Sequence, residues 1–260
     1  MPEPNPAPAW LVLPTYNEAE NVEAFVAAAR AKLPASAQVL IVDDGSPDGT
    51  GKVAERLAER HDNVSVLHRQ VKEGLGPAYI AGFRRALAAG AGLVLEMDSD
   101  FSHDPAYLPR LLEAARRADV VLGSRYVAGG GVSDWGPLRK AISRGGSAYA
   151  KLILGVDVQD MTGGFKCFRR EVLETIDLDS IQARGYAFQV EMTYRAIRGG
   201  FKVVEVPIVF RDRRVGASKM DRGIVAEALW RVPMLRFGPH HVTKPQTASE
   251  EPASQFGSGR

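Results

Sequence analysis

Five short apolar runs separated by four helical patterns constrain this chain more than any other feature. The runs are "WLVLPTY", "QVLIVDD", "NVSVLHR", "AGLVLEMDSD" and "ADVVLGSR". Between them lie "EAENVEAFVAAARAKL", "TGKVAERLAERH", "GPAYIAGFRRALAAG" and "PAYLPRLLEAARR", whose apolar residues recur at helical spacing. Strands alternating with helices of this length predict right-handed crossovers and a mostly parallel sheet in an α/β fold. The runs scarcely alternate apolar with polar, as expected of strands covered on both faces. Ligands of such sheets sit outside the carboxyl ends of the strands. Those ends read Pro14-Thr15-Tyr16-Asn17-Glu18, Asp43-Asp44-Gly45-Ser46, Asp98-Ser99-Asp100 and Gly123-Ser124-Arg125, so polar, acidic and glycine residues gather along one rim.

Past Tyr126 the rhythm changes. "VAGGGVSDWGP" reads as a mobile glycine-rich loop, and "LRKAISRGGSAYAKLILG" as a helix over 138–155. At about 100° per residue Leu138, Ile142, Tyr149, Leu152 and Ile153 share one face, with Lys140, Arg144 and Lys151 opposite. "FKVVEVPIVFRDRR" reads as a further strand and "DRGIVAEALWRVPMLRFG", 221–238, as a last helix interrupted near Pro233. One domain over 10–238 is expected, with disordered tails at 1–9 and 239–260. "MPEPNPAPA" lacks the charged start and apolar core of a secretion signal, and no apolar run reaches the length of a membrane span. A net charge of +2 over 260 residues does not suggest a nucleic-acid binder. The single cysteine, Cys167, excludes an internal disulfide and reads as a small buried hydrophobe.

The stretch "LVLEMDSDFSHDP" crowds Glu96, Asp98, Asp100 and Asp104 at a strand end, where carboxylates repel and resist dehydration. Asp98 and Asp100 are hard oxygen ligands of the kind Mg²⁺ or Mn²⁺ prefers, and a bound cation would offset their repulsion. The competing role is capping of the helix near Pro105. Asp104, directly before that proline, reads as a cap, and Glu96 receives no role. Of Asp43 and Asp44, one is expected to hold the following turn and the other to accept from a base or ribose hydroxyl. Asp48 reads as a turn residue, and His68 and His103 as surface or turn residues.

With these segments in hand a family resemblance is evident. "LPTYNEAENV", "IVDDGSPDGTG", "KEGLGPAYIAGF", "EMDSDFSHDP", "VLGSRYVAGG", "TGGFKCFRREVL", "GYAFQVEM" and "FRDRRVGASKM" occur in one order from about Leu11 to Gly238. Together they resemble glycosyltransferase family 2, specifically its dolichol- or polyprenol-phosphate mannose synthases, and most of all the actinobacterial type without transmembrane segments. The resemblance implies a GT-A fold, GDP-mannose as donor, a polyprenyl monophosphate as acceptor, and Mg²⁺ or Mn²⁺. It places Pro14, Tyr16, Glu18, Val42, Asp44 and Lys72 at the nucleotide, with Tyr16 a stacking surface for guanine. Asp98 and Ser99 match ribose and diphosphate contacts, and Asp100 matches the metal ligand. Some members carry glutamine where this chain has Ser102, and the shorter hydroxyl would reach an ion directly or through a water. Arg125, Arg213 and Lys219 match cations that hold the diphosphate or the acceptor phosphate. Asp160, Gln189 and Glu191 are second-rank candidates for facing the donor sugar, with capping and core hydrogen bonding as the competing role.

A phosphate monoester, with a second pKa near ~6, is already largely anionic at neutral pH and needs no dedicated base. The protein must instead hold two anions together and neutralise departing GDP, which predicts inversion by direct displacement. The long hydrocarbon acceptor implies a cytoplasmic protein bound peripherally to the inner face of the cell membrane. Helices 138–155 and 221–238 would form the interface, with Trp135 and Trp230 at headgroup depth. An amphipathic helix packed on its own core would give the same pattern. Related systems pair such a chain with a separate or fused membrane protein, so an external anchor is implied. The rival within the class is a UDP-glucose-dependent polyprenyl-phosphate glucosyltransferase. A receiver-type domain would be roughly half as long, a pyrophosphorylase would want glycines after the first strand, and an inert lipid binder would not need the acidic pair.

Overall fold

A computed structural model describes residues 8–181, 183, 185–212 and 222–237. The alternating half folds as expected: β1 (Ala9–Thr15), α1 (Val22–Arg30), β2 (Gln38–Asp43), α2 (Thr50–Arg60), β3 (Val64–His68), α3 (Leu75–Ala88), β4 (Leu93–Glu96), α4 (Leu108–Ala114) and β5 (Val120–Ser124). The short β6 (Gly131–Val132) and α5 (Pro137–Leu154) follow, then β7 (Lys166–Arg169), α6 (Arg170–Thr175), α7 (Gly185–Arg198), β8 (Val203–Pro207), β9 (Val209–Phe210) and α8 (Arg222–Phe237). Seven strands form one sheet in the order β3-β2-β1-β4-β7-β5-β8, and β6 pairs with β9 in a second, two-stranded sheet. All neighbours in the large sheet run parallel except around β7, which lies antiparallel between β4 and β5. The order reverses at β1, which lies between β2 and β4. Such a switch point opens a crevice at the carboxyl ends of the strands.

Burial explains why these strands scarcely alternate. Trp10, Val12, Leu40 and Val42 face one apolar layer together with α3 and α7. Their neighbours Leu11, Leu13, Val39 and Ile41 face the other, with α1, α2 and α4. These two strands, β1 and β2, are therefore apolar on both sides, with period two hidden inside a continuous run. On α3, Gly82 lets the helix press against β1: a Cβ there would come within 2.3 Å of Val12 Cγ1. The "FKCFRREV" segment closes the sheet. Arg169 donates to the carbonyls of Ala115 and Ala118 at 2.8 and 3.0 Å, and Arg170 to those of Leu87 and Ala91 at 3.0 and 3.2 Å. These guanidinium groups add donors to carbonyls at and just beyond the C-terminal ends of α4 and α3. Cys167 is fully buried, and burial pushes its thiol pKa up to about 12, as suits an unreactive core residue.

Four expectations are revised. Ala9, assigned to the N-terminal tail, is the first residue of β1 and pairs with Leu93. The glycine-rich loop after Tyr126 is pinned, because Gly131 and Ser133 donate to the carbonyls of Ile208 and Phe210 at 2.9 and 2.8 Å. Trp135 is only 7% exposed, its ring lying between Arg139 (4.2 Å) and Phe210 (5.2 Å), so it packs inside the protein and is not displayed at headgroup depth. Finally, α8 continues through Pro233. Proline has no N–H for the carbonyl of Leu229, and the Tyr149 hydroxyl of α5 donates to that oxygen at 2.9 Å. Arg236 Nη1 in turn donates to the Leu154 carbonyl at the end of α5, at 3.0 Å. Tyr149→Phe should lower unfolding free energy by about 1 kcal/mol, measured by urea titration; an unchanged midpoint would mean that Tyr149 does not support α8.

Candidate active site

The turns after β1 and β2 build one wall of the crevice. Asn17 adopts a left-handed backbone, φ 57°, and its N–H donates to Ser46 Oγ at 3.1 Å. The N–H groups of Glu18 and Ala19 donate to Thr50 Oγ1 (2.9 Å) and Asp48 Oδ2 (3.1 Å). Asp48 also accepts from the N–H of Thr50 at 3.0 Å, so it is a turn residue that ties the two loops together. Although burial raises it, the hydrogen bonds from Thr50 and Ala19 hold its carboxyl below the usual range.

Of the paired acids, Asp43 accepts from the N–H of Ser46 at 3.3 Å and lies 3.6 Å from His68. Asp44 accepts from the N–H of Gly74 at 2.9 Å and pairs with Arg69, which also pairs with Glu73. It thereby shapes the loop that sets Lys72 Nζ 3.8 Å above the Tyr16 ring, a cation–π contact. One face of the expected guanine platform is therefore covered by Lys72. Pro14 and Glu18 are half-buried beside it, while Val42 is in the core and can offer a ligand only its main chain.

At the end of β4 the four crowded acids separate into distinct environments. Glu96 is fully buried and register-paired with Lys166 of β7, the two charges 3.3 Å apart. Lys166 Nζ also donates to the Gln189 carbonyl at 3.1 Å and to its side-chain oxygen. Burial raises the Glu96 pKa to about 6 and lowers that of Lys166, each partly offset by the other's charge. Asp98 keeps 29% side-chain exposure, accepts from the Tyr79 hydroxyl at 3.4 Å and lies 3.9 Å from His103. That histidine, expected on the surface or in a turn, lies in the bend after β4 and is buried between Phe165 and Phe210. Asp100 is buried and accepts from the N–H of Ser102 at 3.0 Å, and Ser99 Oγ donates to the Pro14 carbonyl at 3.4 Å. The Ser102 hydroxyl is buried with no hydrogen-bond partner among the described residues. Asp104 is a cap, accepting from the N–H of Ala106 at 2.9 Å.

Arg125, at the end of β5, lies on the far side of β7 from these acids. Its guanidinium grips Asp160 through Nε (2.7 Å) and Nη2 (2.6 Å), and Nη2 also reaches Thr162 Oγ1 at 2.9 Å. The rings of Tyr126, Phe210 and Trp135 surround it at 5.1, 5.6 and 5.8 Å. Against the cost of burial, this pairing keeps Arg125 charged and holds the Asp160 carboxyl below its usual range. The core role fits the remaining second-rank candidates: Gln189 holds Lys166, and Glu191 pairs with Arg195. Arg213 and Lys219 lie outside the described residues. Lys166, Tyr79 and Thr162, which contact Gln189, Asp98 and Arg125, were missed from sequence. A lysine set among apolar residues in "GGFKCF" was the available signal for the first.

The profile of Glycosyl transferase family 2 matches residues 10–177. The chain belongs to glycosyltransferase family 2. This family 2 enzyme is 50% identical over 227 residues to the undecaprenyl-phosphate mannosyltransferase of Micrococcus luteus, covering 87% of this chain and 92% of that one. It is 47% identical over 224 residues to the polyprenol monophosphomannose synthase of Mycolicibacterium smegmatis, covering 85% and 84%. Its fold resembles glucosyl-3-phosphoglycerate synthase from Mycobacterium tuberculosis, solved with Mn²⁺, UDP-glucose and phosphoglyceric acid. The TM-score is 0.63 at 20% identity, covering 87% of this chain and 80% of that one. The mixed α/β architecture with a central, mostly parallel sheet is thus the GT-A fold.

Proposed function

We propose that this glycosyltransferase moves mannose from GDP-mannose to a polyprenyl monophosphate, with inversion and with Mg²⁺ or Mn²⁺. The observation that carries the proposal is the pair of relatives at 50% and 47% identity, matched over more than four fifths of both chains, whose names join mannose to a prenol lipid. The donor set suits a hard divalent ion: Asp100 brings a carboxylate and Ser102 a buried hydroxyl oxygen without a partner among the described residues. Among those residues no three His, Cys, Asp or Glu side chains gather to hold an ion, so substrate oxygens would complete its shell. Bound there, the ion would neutralise charge on the departing diphosphate.

The chain's own residues supply position. Tyr16 stacks on the base through the ring face opposite Lys72, Asp44 shapes the Lys72 loop, and Asp98 with Ser99 takes the ribose and diphosphate. Arg125, with Arg213 and Lys219, holds phosphate oxygens by charge-assisted hydrogen bonds. An acceptor phosphate oxygen attacks the anomeric carbon as the carbon–oxygen bond to GDP breaks, and the configuration inverts. A glycosyl-enzyme trapped during turnover would contradict this. The direct test offers labelled GDP-mannose or UDP-glucose with a polyprenyl phosphate, with Mn²⁺ or with chelator. Label should enter the lipid phase from GDP-mannose only, and only with the ion. Transfer from UDP-glucose alone would make the chain a glucosyltransferase, and transfer indifferent to chelation would remove the metal.

No helix among the described residues is long and apolar enough to cross a membrane. On α5, Ser147, Ala150 and Leu154 pack inward, whereas Leu138, Ile142 and Leu152 are exposed. The neighbouring α8 exposes Leu229, Trp230 (74%), Met234 and Phe237 (84%). Apolar side chains on two adjoining helices suit a peripheral seat on the inner membrane face. A separate anchor protein belongs to the same proposal. The protein should co-float with anionic liposomes, and Leu152→Glu with Trp230→Ser should cut the bound fraction at least about five-fold, since burying two large apolar groups is worth several kcal/mol. Equal flotation of the variant would exclude this face.

A further inference from the structure

We propose that Asp160 is the positioning residue of the phosphate site: it turns Arg125 so that only one edge of the guanidinium is presented to substrate. The proposal rests on Arg125 belonging to the transferase site. Arginine carries five N–H donors. In this protein Nε and both hydrogens of Nη2 are directed at Asp160 and Thr162, at 2.6 to 2.9 Å. The main-chain N–H of Arg125 also donates to Asp160 Oδ2, at 2.9 Å, so one carboxylate fixes both ends of the residue. Among the described residues nothing takes the two Nη1 hydrogens. Asp160 is completely buried and the Arg125 side chain retains 5% exposure, so the pair reaches solvent through the arginine alone.

The mounting is itself held in place. Glu205 of β8 accepts from the N–H groups of Gln159 and Asp160, both at 2.9 Å. Thr162 Oγ1 lies 3.3 Å from Ser147 Oγ on the buried face of α5. The aromatic rings around the guanidinium leave it little room to swing. A free arginine on a flexible stem must be ordered when it meets a phosphate, whereas one already ordered loses less entropy. Asp160 therefore acts through Arg125 and touches neither sugar nor lipid.

A double-mutant cycle tests this in the full chain with saturating Mn²⁺, reading kcat and both KM values. Asp160→Asn should lower kcat/KM about 100-fold, the scale of a misplaced catalytic contact, and Arg125→Ala by a similar factor. In the Arg125→Ala background, Asp160→Asn should cost less than about 2-fold more, because effects that act through one residue do not multiply. Guanidinium added to Arg125→Ala should restore part of the rate, and adding Asp160→Asn should abolish that rescue. Which KM rises, that of the nucleotide sugar or of the lipid phosphate, assigns the phosphate held. If Asp160→Asn fails to fold, Thr162→Val replaces it in the cycle, with an expected loss of about 5-fold for one hydrogen bond. Multiplying losses, or rescue that survives without Asp160, would overturn the proposal. Wild-type protein that transfers no sugar would instead overturn the function on which it rests.

Discussion

Asp100→Ala is expected to reduce sugar transfer about 10³-fold or more while leaving the fold intact. Losing the carboxylate would release the cation from the diphosphate, and electrostatic stabilisation of a departing anion is commonly worth that factor. Stability should scarcely change. Asp98 and Asp100 stand two residues apart at one strand end, so removing one charge relieves repulsion. That gain opposes loss of the contact with the Ser102 N–H, and the unfolding free energy should stay within about 1 kcal/mol of wild type. Asp104→Ala is the matched control. It removes a cap, should cost about 1 kcal/mol, and should leave transfer nearly unchanged. Transfer rates, chemical denaturation and Mn²⁺ titration followed by electron spin resonance on the three proteins would check this. Asp100→Ala with transfer within ten-fold of wild type would remove it from the metal site.

The second large effect is on folding. Lys166→Met should destabilise the protein by about 3–5 kcal/mol, because it strands Glu96 where water cannot reach. Lys166→Met with Glu96→Leu should recover most of that loss, since a buried ion pair replaced by apolar residues is often neutral. The single variant should also depend on pH in a particular direction. In wild type, burial raises Glu96 from 4.5 to about 6 even with Lys166 beside it. Without the lysine its folded pKa rises further. A carboxyl with a raised folded pKa binds its proton more tightly folded than unfolded, so stability falls as pH rises between the two values. The gap between wild type and Lys166→Met should therefore widen from pH 5 to pH 8. A gap that narrows over this range would mean that Glu96 is not the group left unpaired.

Local pattern made most of the alternating N-terminal half legible. The strands, their shared rim, the Asp48 turn and the Asp104 cap all follow from residues a few positions apart, where propensity and turn chemistry act. The failures share a different cause. Trp135, the pinned glycine loop and the continuous α8 depend on Phe210, Ile208 and Tyr149, each contributed by a distant segment. Arg125 was legible as a candidate cation at a strand end, but not as one gripped by a buried carboxylate 35 positions away.

The crowded strand end "EMDSDFSHDP" marks the division. By itself the sequence determined that four acids crowd at a strand terminus where something must offset their charge, and that the chain resembles family 2. Only the tertiary structure decided which acid receives which partner. By running antiparallel between β4 and β5, β7 brings Lys166 against Glu96, a pairing across 70 residues that no local spacing encodes. Charge interactions in a buried site depend on separation and on the dielectric surroundings, so they are set by what the fold brings together.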